Sequence, residues 1–200
     1  SITTKSDLIV RDLALLSEIS RRNVLSVNMT VTTLNRRLAR LMEPRAPRPD
    51  LRLAAVRKLR AAGLAAGVFA MPVLPGITDR ESDLDALMAG AKGADAQWFS
   101  SGVLFLMSTS AKHFLPFVEK TFPKLARQYH DWFGGGGRVP EIYYKGLERV
   151  VSELRRKYGL ASRPVAPACD RAQPQLSLAL EPACPATARR RDVVADAPAC

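Results

Sequence analysis

Apolar and polar positions alternate along the first 110 residues in two patterns that follow one another. Short runs rich in β-branched residues predict strands, and longer runs with apolar residues at helical spacing predict helices. The predicted strands are residues 2–5, 24–33, 65–73 and 97–107, and the predicted helices are residues 8–20, 49–62 and 79–91. Strands that alternate with helices of this length are typical of a parallel sheet with right-handed crossovers. The fold class expected from the pattern is therefore α/β.

Beyond residue 110 the pattern becomes helical and then loses its periodicity. Helices are predicted over 114–127 and 141–158, and the glycine run 134–137 between them is interpreted as a flexible link. After residue 160 the chain is rich in Pro, Ala and Arg, which predicts disorder. The predicted organisation is four β/α units in 1–109, a helical extension in 110–160 and a disordered tail in 161–200.

The second predicted strand has one polar and one apolar face. Its polar positions are Ser26, Asn28, Thr30 and Thr32, and its apolar positions are Leu25, Val27, Met29 and Val31. Because both faces of a parallel sheet are normally apolar, a polar face needs an explanation. If helices cover the apolar face, the polar face lines the interior of a barrel and forms a ligand site. The alternative is an edge strand whose polar side meets water.

Barrels of this kind carry their active sites at the carboxyl ends of the strands. Those ends bring together Lys5, Ser6, Thr32, Thr33, the turn 71–76 and the region 106–108. Lys5 is expected to be a buried cation suited to a ligand carboxylate, with an exposed loop lysine as the alternative. Glu43-Pro44-Arg45 adds an acid and a guanidinium group that can bind a carboxylate or a phosphate in a bidentate manner.

Positive charge is concentrated in one stretch of the chain. The formal net charge is +11, and residues 21–60 hold eleven basic residues against Glu43 and Asp50. This excess indicates either the solvated face of surface helices or a surface that attracts nucleic acid. The three cysteines, Cys169, Cys184 and Cys200, all lie in the predicted tail at spacings that match no zinc, haem or iron–sulfur pattern.

The remaining features exclude several classes of protein. A body without cysteine favours the cytoplasm, and no apolar stretch is long enough to cross a membrane. His113 and His130 lie outside any metal motif and are predicted to be surface or core histidines.

A chain that opens on a strand of a parallel sheet leaves that strand as an uncovered edge. We therefore expect the chain to be a fragment and poorly soluble by itself.

Five short motifs occur in an order that resembles a known family. They are Ile-Thr-Thr-Lys-Ser at 2–6, Val-Asn-Met-Thr-Val-Thr-Thr-Leu at 27–34, Leu-Met-Glu-Pro-Arg-Ala-Pro at 41–47, Met-Pro-Val-Leu-Pro-Gly-Ile-Thr-Asp at 71–79 and Arg-Lys-Tyr-Gly-Leu at 156–160. Over residues 1–160 the chain resembles radical S-adenosylmethionine (SAM) proteins of the spore photoproduct lyase-like group. The resemblance implies the C-terminal half of a partial (β/α)6 TIM-type barrel. It also implies a 4Fe–4S cluster, SAM, a 5′-deoxyadenosyl radical and a reductant such as flavodoxin or ferredoxin.

The resemblance also assigns expected roles to individual positions. It implies that Lys5 lies near the amino-acid end of SAM, that Thr30 replaces a family serine that contacts SAM, and that the backbone of Met71-Pro72 meets the cofactor. Glu43-Pro44-Arg45 stands where the lyase itself has Glu-Pro-Gly, which indicates a relative rather than the DNA-repair enzyme. The expected cofactor-binding residues are Lys5, Thr30, Thr32, Glu43, Arg45, Met71 and Pro72. No metal ligand is expected in this chain, because the C-x-x-x-C-x-x-C of the family is expected upstream of it.

These observations leave three functional hypotheses. The leading one is the SAM-binding and substrate part of a radical SAM enzyme, inactive as this chain alone. The first alternative is a lyase that repairs a DNA lesion, and the second is a non-catalytic basic module that binds nucleic acid. Neither the substrate nor a catalytic residue is predicted.

Overall fold

Four parallel strands form the central sheet in the order β1-β2-β3-β4. Their bounds are Ile2–Thr4, Ser26–Thr30, Ala65–Val73 and Phe99–Val103. The computed structural model describes residues 1–164. The α/β class and the parallel sheet are confirmed, and the arrangement is consistent with a partial TIM-type barrel. Within residues 1–164 the sheet does not close, since β1 and β4 are not paired with each other.

Four α-helices follow the first three strands. They are α1 (Leu13–Arg22), α2 (Arg36–Met42), α3 (Pro49–Ala61) and α4 (Glu81–Gly93). Asn35 caps α2, because its side chain accepts hydrogen bonds from the backbone N–H groups of Arg37 and Leu38. The helix α2 was not predicted, since it has only seven residues and three of them are arginines.

The predicted helix 8–20 is two elements in the structure. A 3₁₀ segment, Asp7–Asp12, precedes α1, and the side chain of Ser6 accepts a hydrogen bond from the N–H of Leu8. The β-branched residues Ile9 and Val10 lie in this segment, and such residues lose side-chain freedom in an α-helix. The expected N-cap at Ser6 is confirmed, but the α-helix begins at Leu13.

The main core lies between the sheet and the helices that cover one of its faces. Val27, Met29 and Val68 on the strands meet Val56 and Leu59 of α3 and Leu84 and Met88 of α4, and all of them are almost completely buried. Full burial of an apolar side chain of this size contributes about 1.5–3 kcal/mol. This face of the sheet is thus closed by packing, and only the opposite face and the strand ends can hold a site.

The C-terminal part of the described chain is mainly helical, and we call it the helical layer. It contains β5 (Phe105–Leu106), α5 (Ser108–Thr121), α6 (Ala126–Phe133), β6 (Gly137–Arg138) and α7 (Glu141–Tyr158). Leu147, Val151 and Leu154 of its last helix also join the main core. The predicted strand 97–107 is divided into β4 and β5, and the predicted helix 114–127 is divided between α5 and α6. The prediction for α7 coincides with the structure.

The glycine run 134–137 is not the flexible link that the sequence suggested. Gly137 pairs with Leu106 in the antiparallel β5–β6 ladder. Gly136 has a φ of +79°, and a Cβ atom at this position would lie 2.8 Å from the backbone nitrogen of Ser108. The run is therefore a structured turn, and its position 136 is one that only glycine fits.

The described chain ends by joining the sheet. Ala161 lies parallel to Trp98, where the N–H of Phe99 donates to Ala161 O at 2.9 Å and the N–H of Ala161 donates to Gln97 O at 3.1 Å. The sheet pairing thus includes Ala161, the first residue of the predicted tail. The three cysteines and most of the predicted disordered tail lie outside the described residues.

Within residues 1–164, no helix is both long enough and apolar enough to cross a membrane.

Candidate functional site

The polar face of β2 lies inside the sheet rather than at its edge. β2 pairs with β1 on one side and with β3 on the other, so the edge-strand alternative is wrong. The register places Thr3, Asn28 and Gly67 side by side, and Trp98 lies opposite Gly67 on the neighbouring strand. Two residues further on, Thr30, Phe69 and Ser100 form the next row.

The first of these rows is packed. This corrects the prediction that the whole polar face of the strand forms a ligand site. The indole N–H of Trp98 donates to Asn28 Oδ1 at 3.0 Å, and Asn28 Nδ2 donates to Thr3 Oγ1 at 3.2 Å. The Trp98 ring covers Gly67, where a Cβ atom would overlap it. Asn28 and Trp98 are buried. At this level the polar face is therefore a filled core with a satisfied amide, and any ligand must bind nearer to the carboxyl ends of the strands.

Lys5 lies at that end of the sheet and forms an ion pair. Continuing the β1–β2 register by one residue beyond Thr4 and Met29 places Lys5 beside Thr30. Its Nζ atom lies 2.7 Å from Glu43 Oε1, and its side chain is 51% exposed. The expectation that Lys5 is buried is wrong, because the long side chain reaches out of the sheet to a carboxylate at the end of α2. The ammonium group remains accessible to an anionic ligand.

Arg52 is the residue of this site that the sequence analysis missed. Its Nη2 atom lies 2.6 Å from Glu43 Oε2, while Nη1 donates to Thr30 O at 2.9 Å and Nε donates to Pro47 O at 2.8 Å. The side chain is 2% exposed. Its helical spacing from Val56 and Leu59 puts it on the buried face of α3, and this spacing was the signal that could have identified it.

The two cations determine the ionisation of Glu43. Burial alone would raise the pKa of this carboxyl, but hydrogen bonds from Lys5 and Arg52 and the charges of both outweigh burial and hold the pKa below its usual range. Glu43 is thus a carboxylate shared by two cations. We refer to Lys5, Glu43 and Arg52 together as the Lys5 ion-pair chain.

Arg45 does not join this chain. It is exposed in the loop after α2 and takes part in none of the ion pairs formed among residues 1–164. The buried guanidinium beside Glu43 belongs to Arg52 instead. The expected contact of Arg45 with the cofactor stays a prediction.

The other predicted strand-end residues occupy varied environments. Thr30 is 6% exposed, and Thr32 is half-buried just after β2. Thr33 is buried and accepts a hydrogen bond from the N–H of Asn35, so it shapes the start of α2. His113 and His130 are both exposed, and His130 pairs with Glu119.

Met71 and Pro72 lie at an irregularity near the end of β3. The peptide bond between them is cis, and the pairing with β4 shifts register between Ala70 and Val73. The Met71 side chain is partly exposed, and a Cβ atom at Gly102 on β4 would lie 3.3 Å from Met71 Cγ. The backbone at Met71-Pro72 is thus interrupted in its pairing with β4 at the rim of the sheet.

Two tyrosines of the helical layer fix the loop that follows β3. Tyr129 of α6 donates to Pro75 O at 2.9 Å, and Tyr143 of α7 donates to Asp79 Oδ2 at 2.6 Å. Burial raises the pKa of both phenols, and the Asp79 carboxylate raises it further. Both tyrosines therefore remain neutral hydrogen-bond donors, and they position the turn after Met71-Pro72.

A cleft of about 380 Å³ opens beside the carboxyl end of β4. It is lined by Gly102, Val103, Leu104 and Phe105, and by Arg138, Val139, Glu141 and Tyr144 of the β6–α7 segment. The Arg138 guanidinium lies 5.4 Å from the centre of the Phe105 ring, which is half exposed. The cleft offers apolar surface together with one cation and one anion.

The donor groups of the described chain fit an amino-acid ligand better than a metal. No group of three or more His, Cys, Asp or Glu side chains in residues 1–164 is arranged to hold a metal ion. Thiolate ligands for an iron–sulfur cluster are also lacking in this part of the chain, because every cysteine follows residue 164. An accessible ammonium beside a hydroxyl-bearing strand, by contrast, suits a ligand carboxylate.

Comparison with known proteins gives a family match over the N-terminal part of the chain. Residues 1–88 match the model of the Radical SAM superfamily. The matched segment contains β1 to β3 and the whole Lys5 ion-pair chain. The spore photoproduct lyase-like group is not distinguished by this match.

The similar curated proteins carry no functional description. The chain is 33% identical over 169 residues to the uncharacterized protein Rv2578c of Mycobacterium tuberculosis and to the uncharacterized protein Mb2609c of Mycobacterium bovis. These alignments cover 84% of this chain and 50% of each relative, so the chain spans about half the length of the curated relatives it matches. The uncharacterized protein ORF301 of Acidianus two-tailed virus is 40% identical over 90 residues, which is 44% of this chain and 29% of that protein. No solved structure gives a significant match.

Proposed function

We propose that this chain is the SAM-binding part of a radical SAM enzyme. The observation that supports it best is Lys5, whose side chain is half exposed and whose ammonium group is held by Glu43 at the carboxyl end of a parallel sheet, in the segment that matches the superfamily model. Active sites of parallel α/β barrels lie at this end of the sheet.

In this proposal each site residue has a defined task. Lys5 donates to the carboxylate of SAM, Thr30 presents its hydroxyl from the neighbouring strand, and the backbone at Met71-Pro72 contacts the remaining part of the cofactor. Thr32 lines the same rim. Glu43 does not touch the ligand but holds Lys5.

The cluster is supplied from outside residues 1–164, since this part of the chain holds no thiolate. A bound cluster, reduced by a protein such as flavodoxin or ferredoxin, would supply the electron that cleaves SAM and yields a carbon-centred radical. The described residues would bind and orient SAM.

The substrate of the enzyme is proposed to enter through the cleft beside β4. Its mixed surface, with Phe105, Arg138 and Tyr144, suits a ligand that is partly apolar and carries a polar group. We propose the spore photoproduct lyase-like group as functional relatives, which makes a lyase reaction the first reaction to assay.

A second candidate function is nucleic-acid binding. It is favoured by the exposed arginines on α2 and in the following loop, among them Arg37, Arg40 and Arg45. Such binding weakens steeply with added salt and depends on these arginines rather than on Lys5, which separates it from the first candidate.

The proposed function is tested by the affinity of the protein for SAM and for decarboxylated SAM. We expect the wild-type protein to prefer SAM about tenfold or more, because only SAM offers a carboxylate to Lys5. Lys5→Ala should bind the two compounds equally. Equilibrium dialysis measures both affinities.

Lys58→Ala is the matched control, because Lys58 is an exposed lysine on α3. The control should keep the wild-type preference. Equal binding of both compounds by the wild-type protein, or an unchanged preference in Lys5→Ala, would contradict the assignment of Lys5.

A further inference from the structure

We infer that Arg52 is a positioning residue that fixes the Lys5 ammonium group through Glu43. The expected effect of Arg52 on SAM affinity rests on the proposed function. The inference itself concerns only the Lys5 ion-pair chain, and it assigns a task to an arginine that otherwise counts as one more charge in a basic segment.

The first step of the argument is the placement of the guanidinium group. Its three bonded nitrogens reach three separate parts of the molecule, namely Thr30 O on β2, Pro47 O in the loop and Glu43 Oε2 at the end of α2. A planar fork with donors in fixed directions cannot satisfy three such acceptors in more than one orientation. Arg52 is therefore held rigidly at the junction of these elements.

The second step is the transfer of this order to Glu43. The carboxylate is 14% exposed, and Arg52 binds one of its oxygens. Because one oxygen is fixed, the other oxygen is also fixed, and Lys5 Nζ lies 2.7 Å from it. The end of a flexible four-carbon side chain thus acquires a defined position, although half of that side chain faces solvent.

The third step concerns charge. Two cations share one carboxylate, so the chain of ion pairs retains one positive charge for an anionic ligand. Lys5 has three N–H donors, and Glu43 occupies only one side of the ammonium group. A ligand carboxylate can therefore bind without displacing Glu43.

A purely structural role for Arg52 makes a different prediction. The carbonyl groups of Pro47 and Thr30 alone would explain an arginine that only anchors the loop. In that case the loss of Arg52 would lower the free energy of unfolding and leave the mobility of Lys5 unchanged. The mobility of the Lys5 ammonium group is therefore the property to measure.

The experiment is ¹⁵N relaxation of lysine ammonium groups in the full chain at mildly acidic pH, where their protons exchange slowly. In the wild-type protein the order parameter of Lys5 should exceed that of exposed Lys58. In Arg52→Gln it should fall to the value of Lys58. Arg52→Lys is the second variant; it keeps the charge, and it should show the same fall because one ammonium cannot reach all three acceptors.

Arg60→Gln is the matched control. Arg60 also lies on α3 and is largely buried, but it donates to Leu64 O and Asp95 O, away from Lys5. This variant should leave Lys5 as ordered as in the wild-type protein. An unchanged order parameter for Lys5 in both folded Arg52 variants overturns the inference.

SAM affinity separates the inference from the proposed function. Arg52→Gln should weaken SAM binding about tenfold in the wild-type background and not at all in the Lys5→Ala background, because its effect passes through Lys5. If the losses of SAM affinity caused by Arg52→Gln and Lys5→Ala add up in the double variant, this counts against the inference. If Lys5 loses order but neither Arg52→Gln nor Lys5→Ala alters SAM affinity, the inference stands and the proposed function fails.

Discussion

At the scale of single residues, Arg45 and Arg52 show how differently two arginines of one basic segment behave. Arg45 is exposed, whereas Arg52 is buried and bonded to three acceptors. Net charge counts both residues alike, so the charge excess of residues 21–60 could not distinguish a solvated face from a built site. The position of Arg52 on the apolar face of α3 could have distinguished them, since a buried arginine needs fixed partners.

The ionisation of Glu43 gives a prediction about stability. Because its pKa is lowered in the folded protein, Glu43 stabilises the fold fully above its unfolded pKa of about 4, and this contribution is lost as pH falls through the folded value. At neutral pH, Glu43→Gln should lower the free energy of unfolding by about 1–3 kcal/mol. The difference should shrink as the pH is lowered below about 4, and urea unfolding at several pH values measures it.

Glu153→Gln provides the control, since Glu153 is an exposed residue of α7. It should change stability little at any pH. A difference between the wild-type protein and Glu43→Gln that stays constant or grows as pH falls would contradict the shared carboxylate.

At the scale of elements, the sequence predicted the polar face of β2 but not what covers it. Trp98 lies seventy residues after Asn28 in the chain, and no local pattern links the two. The same limit applies to Gly67, whose small size matters only because Trp98 packs across it. Alternation along a strand predicts which face a residue occupies, whereas the filling of that face depends on a distant strand.

This packing predicts the effect of one added methyl group. In Gly67→Ala the new Cβ atom overlaps the buried Trp98 ring, so the ring or β3 must shift and the Trp98–Asn28 hydrogen bond must weaken. We expect a loss of about 1–3 kcal/mol in the free energy of unfolding, together with a changed Trp98 fluorescence.

Gly146→Ala serves as the comparison, because a Cβ atom there meets nothing within 4 Å and the position lies inside α7. It should be neutral or stabilise the protein by up to about 1 kcal/mol. Equal stability of Gly67→Ala and the wild-type protein would show that the row at Asn28 is open rather than packed.

The bounds of strands and helices were predicted best where a glycine or a proline-glycine turn follows the element. The strand Ala65–Val73 and the helix Glu141–Tyr158 coincide with the prediction. The predictions failed where tertiary contacts decide the boundary. The pairing of β5 with β6 separates β5 from β4, and α5 continues through Pro116, a residue that normally weakens a helix.

At the scale of the whole molecule, the candidate site is assembled from parts that lie far apart in the sequence. Lys5 follows β1, Glu43 ends α2 and Arg52 lies in α3, while Tyr129 and Tyr143 of the helical layer fix the loop after β3. The sequence could predict the sheet and the end of it that carries polar residues. It could not predict which charges meet, because that depends on the packing of α2 and α3 against β2.

The most direct test of the proposed function is reductive cleavage of SAM to 5′-deoxyadenosine under anaerobic conditions. The assay uses the protein translated from the whole open reading frame that contains this chain, after reconstitution with iron and sulfide. We expect cleavage by this protein, a reduction of about tenfold or more in Lys5→Ala, and no cleavage by residues 1–200 alone, because their cysteine spacings do not suit a cluster. Cleavage by residues 1–200 alone at the rate of the whole protein, or a rate in Lys5→Ala equal to that of the wild-type protein, would contradict the account.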